Sequence, residues 1–93
     1  MTEQDKQLIS EYMGWELSVY SREYYYIPKN GKVVYFDLND ASLVVQEMQK
    51  RGEWQDFVQT AAKIHKLGFH SEVVAWLFNA ENFFKAFVEW RKK

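Results

Sequence analysis

Two histidines and five serines are the first candidates for chemistry in this 93-residue sequence, because the chain contains no cysteine. His65 and His70 lie five positions apart, which places them on different sides of a continuous helix, and Gly68 interrupts such a helix between them. Neither an HExxH motif nor a carboxylate at ligand spacing accompanies them. We therefore expect no metal site.

The sequence contains no motif for nucleophilic catalysis or for nucleotide binding either. The serines are Ser10, Ser18, Ser21, Ser42 and Ser71, and none of them occupies a G-x-S-x-G turn, the context that exposes a nucleophile. The glycines stand at predicted helix ends and in a turn, not in a phosphate-binding loop. A domain of this size also has little room for a cleft between paired carboxylates. We expect no catalytic residue and no cofactor, and therefore no enzyme.

The aromatic residues offer binding chemistry instead. Tyr24-Tyr25-Tyr26, close to Arg22 and Lys29, resembles the aromatic and basic mixture that stacks single-stranded bases. In a strand, however, Tyr24 and Tyr26 point to one face and Tyr25 to the other, so one face can simply be core. If the sheet is covered on one side only, Tyr20, Tyr24 and Tyr26 are the exposed tyrosines.

The C-terminal part of the chain has two further candidate surfaces. Trp76, Phe83 and Trp90 recur every seven residues beside a first apolar stripe, so they form either the centre of the core or an exposed apolar surface. The second is the basic C-terminal run Arg91, Lys92 and Lys93. These cations can simply interact favourably with the C-terminal end of a helix dipole, or they can form a basic patch that binds phosphate or an acidic partner.

Periodicity predicts an α+β fold in which an N-terminal helix is followed by a small antiparallel β-sheet (hairpin) and then three helices packed on it. The first helix is expected near residues 3–13 and the sheet within 15–37. The later helices are expected near 40–51, 53–67 and 71–91, with possible interruptions at Asn79 and Glu81-Asn82. In the first strand, Trp15, Leu17 and Val19 should share one face. Local signals place a cap at Thr2, caps at Asn39 and Asp40, and a turn at Asn30-Gly31.

Length and composition set the class of protein. A chain of 93 residues has room for one core, so residues 1–93 should form a single domain. With 47% hydrophobic and 27% charged residues, the chain is expected to fold. No apolar run is long enough to span a membrane and the start is acidic, so we expect a cytoplasmic protein. A net charge of −1, acidic up to Glu47 and basic from Met48, fits neither a basic nucleic-acid binder nor an acidic DNA mimic.

Three blocks of the sequence resemble a family of small phage and prophage proteins of Bacteroidetes. They are Leu8-Ile9-Ser10-Glu11-Tyr12-Met13-Gly14-Trp15, Leu43-Val44-Val45-Gln46-Glu47-Met48 and Ala80-Glu81-Asn82-Phe83-Phe84-Lys85-Ala86-Phe87-Val88-Glu89-Trp90. The blocks cover about a quarter of the chain, and none is a catalytic motif. The resemblance implies an α-β-α layered accessory protein of mobile-element origin. Such proteins often disable a host protein, as anti-CRISPR proteins do.

The functional hypothesis is therefore a non-enzymatic protein that inhibits a host defence factor, most concretely a CRISPR effector nuclease with its guide RNA. One alternative is a nucleic-acid-binding accessory or regulatory phage protein; another is a phage component that self-assembles through the Trp/Phe stripe. No membrane partner is expected. Because a buried aromatic anchor contributes more to binding than a rim charge, the partner-binding candidates rank in this order: Tyr20, Tyr24 and Tyr26, then Trp76, Phe83 and Trp90, then Arg91, Lys92 and Lys93.

Overall fold

The computed structural model describes residues 1–92, which fold into five helices and a three-stranded antiparallel sheet. The helices are α1 (Glu3–Met13), α2 (Leu38–Lys50), α3 (Trp54–His65), α4 (His70–Leu77) and α5 (Ala80–Arg91). The strands are β1 (Glu16–Leu17), β2 (Tyr25–Ile27) and β3 (Lys32–Val34). The α+β prediction, with an N-terminal helix, a small sheet and then helices, is confirmed.

Side-chain caps define the starts of the first two helices. Thr2 and Asp5 form a capping box at α1, and Gly14 ends that helix in the left-handed conformation at φ 74°. At α2 the capping box joins Asp37 to Asp40, so the helix starts at Leu38. The prediction that Asn39 and Asp40 cap this helix is therefore only partly correct. The N-cap residue is Asp37, whose side chain accepts from the Asp40 backbone nitrogen, and the Asp40 carboxylate accepts in return from the Asp37 backbone nitrogen; Asn39 has no part in the capping box.

The sheet has the strand order β1-β2-β3, with Glu16 opposite Tyr26 and Tyr25 opposite Val34. The predicted hairpin turn is confirmed: the Asn30 side chain accepts a hydrogen bond from the Lys32 backbone nitrogen at 2.9 Å. One face of the sheet is buried in the core through Tyr25 and Val34, whereas Tyr24 and Tyr35, the residues next to them at the strand ends, are exposed.

The prediction that Trp15, Leu17 and Val19 share one face of the first strand is only partly correct. Trp15 is buried, but Leu17 and Val19 are exposed. The reason is that β1 ends at Leu17, and the Ser18 carbonyl then accepts a hydrogen bond from the Arg22 backbone nitrogen at 3.0 Å. The alternation of a strand therefore does not extend to Val19.

The single helix predicted for residues 71–91 is two helices, so four helices rather than three follow the sheet. Asn79 adopts an extended backbone conformation and its side chain accepts a hydrogen bond from the Asn82 backbone nitrogen, which starts α5 afresh. The Asn82 side chain donates to the Trp76 carbonyl at 3.0 Å, which satisfies the end of α4.

The core is centred on α5, which packs against all four other helices. Its Phe83, Phe84 and Phe87 are fully buried together with Phe57 of α3. Phe36, which follows β3, links the sheet to this core through edge-to-face contacts with Tyr25 at 6.2 Å and Phe84 at 5.5 Å. Each such ring contributes roughly 1.5–3 kcal/mol through burial. None of the helices in residues 1–92 has the length and apolar content required to cross a lipid bilayer.

Candidate functional site

The outer face of the sheet and the turn after β1 together carry a partly exposed aromatic surface, which we call the tyrosine face: Tyr20, Tyr24, Tyr26 and Val33. Tyr20 is 96% exposed and Tyr24 is 41% exposed, whereas Tyr25 between Tyr24 and Tyr26 is buried. The four residues line one shallow groove of about 320 Å³. The predicted alternation of the tyrosines is thus confirmed, and the structure brings all three candidate tyrosines together.

Backbone hydrogen bonds hold the tyrosine face in place. The Ser18 nitrogen donates to the Tyr24 carbonyl at 2.9 Å, which extends the pairing of β1 with β2 beyond the strands. The buried Ser18 hydroxyl accepts from the Tyr20 nitrogen at 3.4 Å. Arg22 takes the left-handed conformation at φ 57°, which closes the loop that carries Tyr20. The backbone that carries Tyr20 and Tyr24 is therefore held in a defined conformation.

The tyrosine face has an acidic edge. The Tyr26 hydroxyl donates a 2.8 Å hydrogen bond to the Glu16 carboxylate on the neighbouring strand. This hydrogen bond, together with burial, raises the pKa of Tyr26 above the ordinary value of a tyrosine. The surface therefore combines aromatic rings with a carboxylate.

A second groove, of about 570 Å³, adjoins the tyrosine face and shares Tyr24 and Val33 with it. We call it the Tyr24–Tyr35 groove. In the antiparallel register, Tyr25 of β2 faces Val34 of β3, so the next residues along the two chain segments, Tyr24 and Tyr35, lie opposite each other. Its remaining lining comes from Met1, Glu3, Lys6, Glu23, Tyr25, Val34, Phe36, Ala80 and Glu81. Tyr35, which is exposed, was not among the predicted site residues. The hairpin register, which places it opposite Tyr24, was the signal that could have identified it.

The Trp/Phe stripe belongs to the core. Phe83 is 2% exposed and Trp90 is 8% exposed, and the Trp90 indole nitrogen donates to the Asp56 carboxylate at 2.8 Å. Trp76 is half-buried and stacks on His65 with ring centroids 4.3 Å apart. Of the two interpretations of this stripe, the core interpretation is confirmed, and Phe83 and Trp90 are not available as partner-binding residues in this structure.

The C-terminal cations are engaged within the molecule. The Lys92 amine lies 3.4 Å from the Asp5 carboxylate. The Arg91 guanidinium lies 5.1 Å from the centre of the Tyr12 ring and 5.4 Å from that of Trp90. Lys93, the third predicted cation, lies outside the described residues. Arg91 and Lys92 therefore contact residues of α1, in addition to lying at the C-terminal end of α5.

The histidines are separated by the structure as the sequence predicted. His65 on α3 contacts the Glu89 carboxylate on α5 at 2.8 Å and Trp76 on α4, so it joins three helices. His70 is exposed at the start of α4. Within residues 1–92, no three His, Asp or Glu side chains lie close enough together to hold a metal ion.

Tyr12 is the centre of a polar cluster that no sequence pattern indicated. Its hydroxyl donates to the Glu53 carboxylate at 2.7 Å, and the Arg51 guanidinium lies 4.0 Å from the ring centre. Arg51 also donates to the Tyr12 carbonyl at 2.9 Å. Burial, and then the hydrogen bond to Glu53, raise the pKa of Tyr12 well above its ordinary value. The cluster fastens α1 to the α2–α3 connection, which is a structural role.

Comparisons of the chain with protein-family models, curated proteins and solved structures found no match. The candidate site is therefore defined by its own geometry: an exposed tyrosine face on a covered sheet, continuous with an aromatic groove that has acidic residues in its lining. Such a surface can bind another macromolecule by aromatic contacts and hydrogen bonds.

Proposed function

We propose that this chain is a non-enzymatic, phage-type binding protein that acts in the cytoplasm of a host cell by docking its tyrosine face on a host defence protein. The observation that carries the proposal is the aromatic surface of the tyrosine face, on which Tyr20 and Tyr24 are exposed and Tyr26 is half-buried.

Tyrosine is well suited to this role. Its ring supplies a large contact area at the cost of few rotatable bonds, and its hydroxyl keeps the free surface hydrated. Tyrosine is accordingly enriched among the residues that dominate binding energy. A standard interface takes roughly 800 Å² from each partner, about an eighth of the 6267 Å² surface of this protein. The tyrosine face and the adjoining Tyr24–Tyr35 groove together can form the centre of such an interface.

The nature of the target is inferred from the family resemblance. Small phage and prophage proteins often bind and disable a host protein, and a CRISPR effector nuclease with its guide RNA is the most specific target of this kind. Burial of Phe83 and Trp90 removes the surface on which self-assembly through the Trp/Phe stripe was based. The contacts of Arg91 and Lys92 likewise leave less free positive charge for a nucleic acid.

Affinity capture with the full chain as bait, followed by binding measurements on the captured protein, tests the proposal. Tyr20→Ala and Tyr24→Ala should each weaken binding at least tenfold, about 1.4 kcal/mol, while thermal stability stays nearly unchanged. Phe78→Ala is the matched control, since Phe78 is also an exposed aromatic side chain (78%) but lies at the α4–α5 junction. It should bind like the wild type. A captured CRISPR nuclease should in addition lose cleavage activity with the wild type and retain it with Tyr20→Ala.

Salt separates this proposal from nucleic-acid binding. Affinity for phosphates falls steeply with ionic strength, whereas a largely aromatic protein interface loses much less. The nucleic-acid alternative would replace the proposed function if two results were found together. The tyrosine variants would bind the target normally, and binding would instead depend on Arg91, Lys92 and Lys93 and weaken as the salt concentration rises.

A further inference from the structure

The lining of the Tyr24–Tyr35 groove combines aromatic side chains with an excess of carboxylates. Glu3, Glu23 and Glu81 line it, against Lys6 and the amino terminus of Met1. Glu16 adds a further carboxylate at the tyrosine face. Glu23 and Glu81 take part in no ion pair with any residue between 1 and 92, so their charge is free to act on a ligand.

One cation already occupies part of this groove. The Lys6 amine lies 3.6 Å from the Glu3 carboxylate and 6.0 Å from the centre of the Phe36 ring. It is thus held by a carboxylate and an aromatic face together, the combination that binds arginine and lysine side chains. Glu23 and Glu81 line the same groove as the rings of Tyr24 and Tyr35, so the groove also offers carboxylates and aromatic rings to a second cation.

The walls of the groove are anchored from the protein interior. The Tyr35 backbone nitrogen donates to the buried Asp40 carboxylate at 2.7 Å, and Phe36 turns inward through the left-handed conformation at φ 55°. On the opposite wall, the Tyr24 carbonyl accepts from the Ser18 nitrogen. Because the backbone of both tyrosines is fixed in this way, little backbone order has to be gained when a ligand enters.

We propose that the Tyr24–Tyr35 groove binds a basic segment of a partner protein, with an arginine or lysine side chain seated against Tyr24 and Tyr35 and within reach of Glu23 and Glu81. The inference rests on the proposed function and names the chemistry of the partner's surface. Charge complementarity selects this occupant, because a nucleic acid or an acidic segment would bring negative charge to the carboxylates of the groove. The positively charged channel in which a partner protein holds a nucleic acid is one surface that contains basic segments of this kind.

Titration of the ¹⁵N-labelled full chain with a nona-arginine peptide amide, followed by NMR, tests the groove directly. The backbone amide shifts should concentrate at Glu23, Tyr24, Tyr35 and Glu81. Glu81→Gln should weaken peptide binding by up to about fivefold, because it removes one exposed ion pair, and the double variant with Glu23→Gln should weaken it further. Glu72→Gln is the matched control, since Glu72 likewise lies in the first turn of a helix but not in the groove.

Three results would overturn the inference. The first is a set of shifts spread evenly over the acidic residues of the chain, and the second is the absence of any saturable shift. The third is binding of nona-glutamate or of an oligothymidylate in the groove as tight as that of nona-arginine. Circular dichroism of each variant establishes that it is folded, and since the replaced side chains are exposed, no loss of folding is expected.

The captured target distinguishes failure of the groove from failure of the proposed function. If Tyr20→Ala weakens target binding but Tyr35→Ala and the Glu23→Gln/Glu81→Gln double variant do not, the inference about the groove is wrong and the proposed function stands. If nona-arginine binds the groove but the tyrosine variants bind the target normally, the proposed function is wrong while the groove retains its specificity for basic segments.

Discussion

Replacing Tyr12 by phenylalanine removes a single hydroxyl from the polar cluster that joins α1 to the α2–α3 connection. The hydroxyl donates to the Glu53 carboxylate at 2.7 Å, whereas the ring makes edge-to-face contacts with Phe87 at 5.1 Å and Trp90 at 6.3 Å. The phenylalanine ring can keep these contacts, so the substitution isolates the hydrogen bond from the packing.

The expected loss follows from the type of hydrogen bond and from the exposure of its acceptor. A hydrogen bond to a charged group stabilises a protein by about 1.5–3 kcal/mol. Glu53 is half-buried and regains some water when the hydroxyl is removed, so the low end applies. We expect Tyr12→Phe to lower the free energy of unfolding by about 1.5 kcal/mol, which corresponds to roughly 6–12 °C in Tm for a domain of this size.

The effect should also depend on pH. Burial and the Glu53 hydrogen bond raise the pKa of Tyr12 in the folded state, while the unfolded state ionises near pH 10, about the ordinary value of tyrosine. The stabilisation is therefore fully present below about pH 10 and decreases as the pH rises from there toward the folded-state pKa. The difference in stability between the wild type and Tyr12→Phe should shrink between about pH 10 and pH 11.

Urea denaturation followed by tryptophan fluorescence at several pH values measures both effects. Tyr20→Phe is the control, because its hydroxyl sits on a side chain that is 96% exposed, and it should leave stability unchanged throughout. A Tyr12→Phe protein as stable as the wild type near neutral pH, or a difference that stays constant up to about pH 11, would refute the assignment of this hydrogen bond as a stabilising contact.

Three further substitutions test the packing. Ser10→Ala should leave stability unchanged or raise it by about 1 kcal/mol, because the buried Ser10 hydroxyl has no hydrogen-bond partner in residues 1–92; a loss in thermal denaturation would contradict this. Phe83→Ala should destabilise by about 3–5 kcal/mol in chemical denaturation, and a near-neutral result would mean that the ring is not core. His65→Ala should lower Tm by a few degrees through loss of the Glu89 and Trp76 contacts, yet bind the captured target within about twofold of the wild type, and a large loss of binding in the folded variant would place His65 in the interface.

Features that depend on neighbours in the sequence could be predicted from the sequence alone. Thr2 and Gly14 delimit α1 as expected, because a cap and a left-handed glycine act over one helical turn. The Asn30-Gly31 turn and the alternation from Tyr24 to Tyr26 were likewise correct, since both follow from backbone geometry over a few residues. The position of the tyrosine face could therefore be inferred before the structure was known.

Features that depend on distant residues were decided by the tertiary structure. Periodicity could not establish whether Phe83 and Trp90 were core or surface, because that depends on α5 being surrounded by four other helices. The break at Asn79 was noted only as a possibility, since its cap competes with an apolar pattern that continues through it. Tyr35 lines one groove with Tyr24 because the register of β2 and β3 places the two residues opposite each other, and because the buried Asp40 carboxylate holds the Tyr35 backbone nitrogen. Local patterns specify elements and the faces of strands, whereas burial and the assembly of a groove are properties of the packed chain.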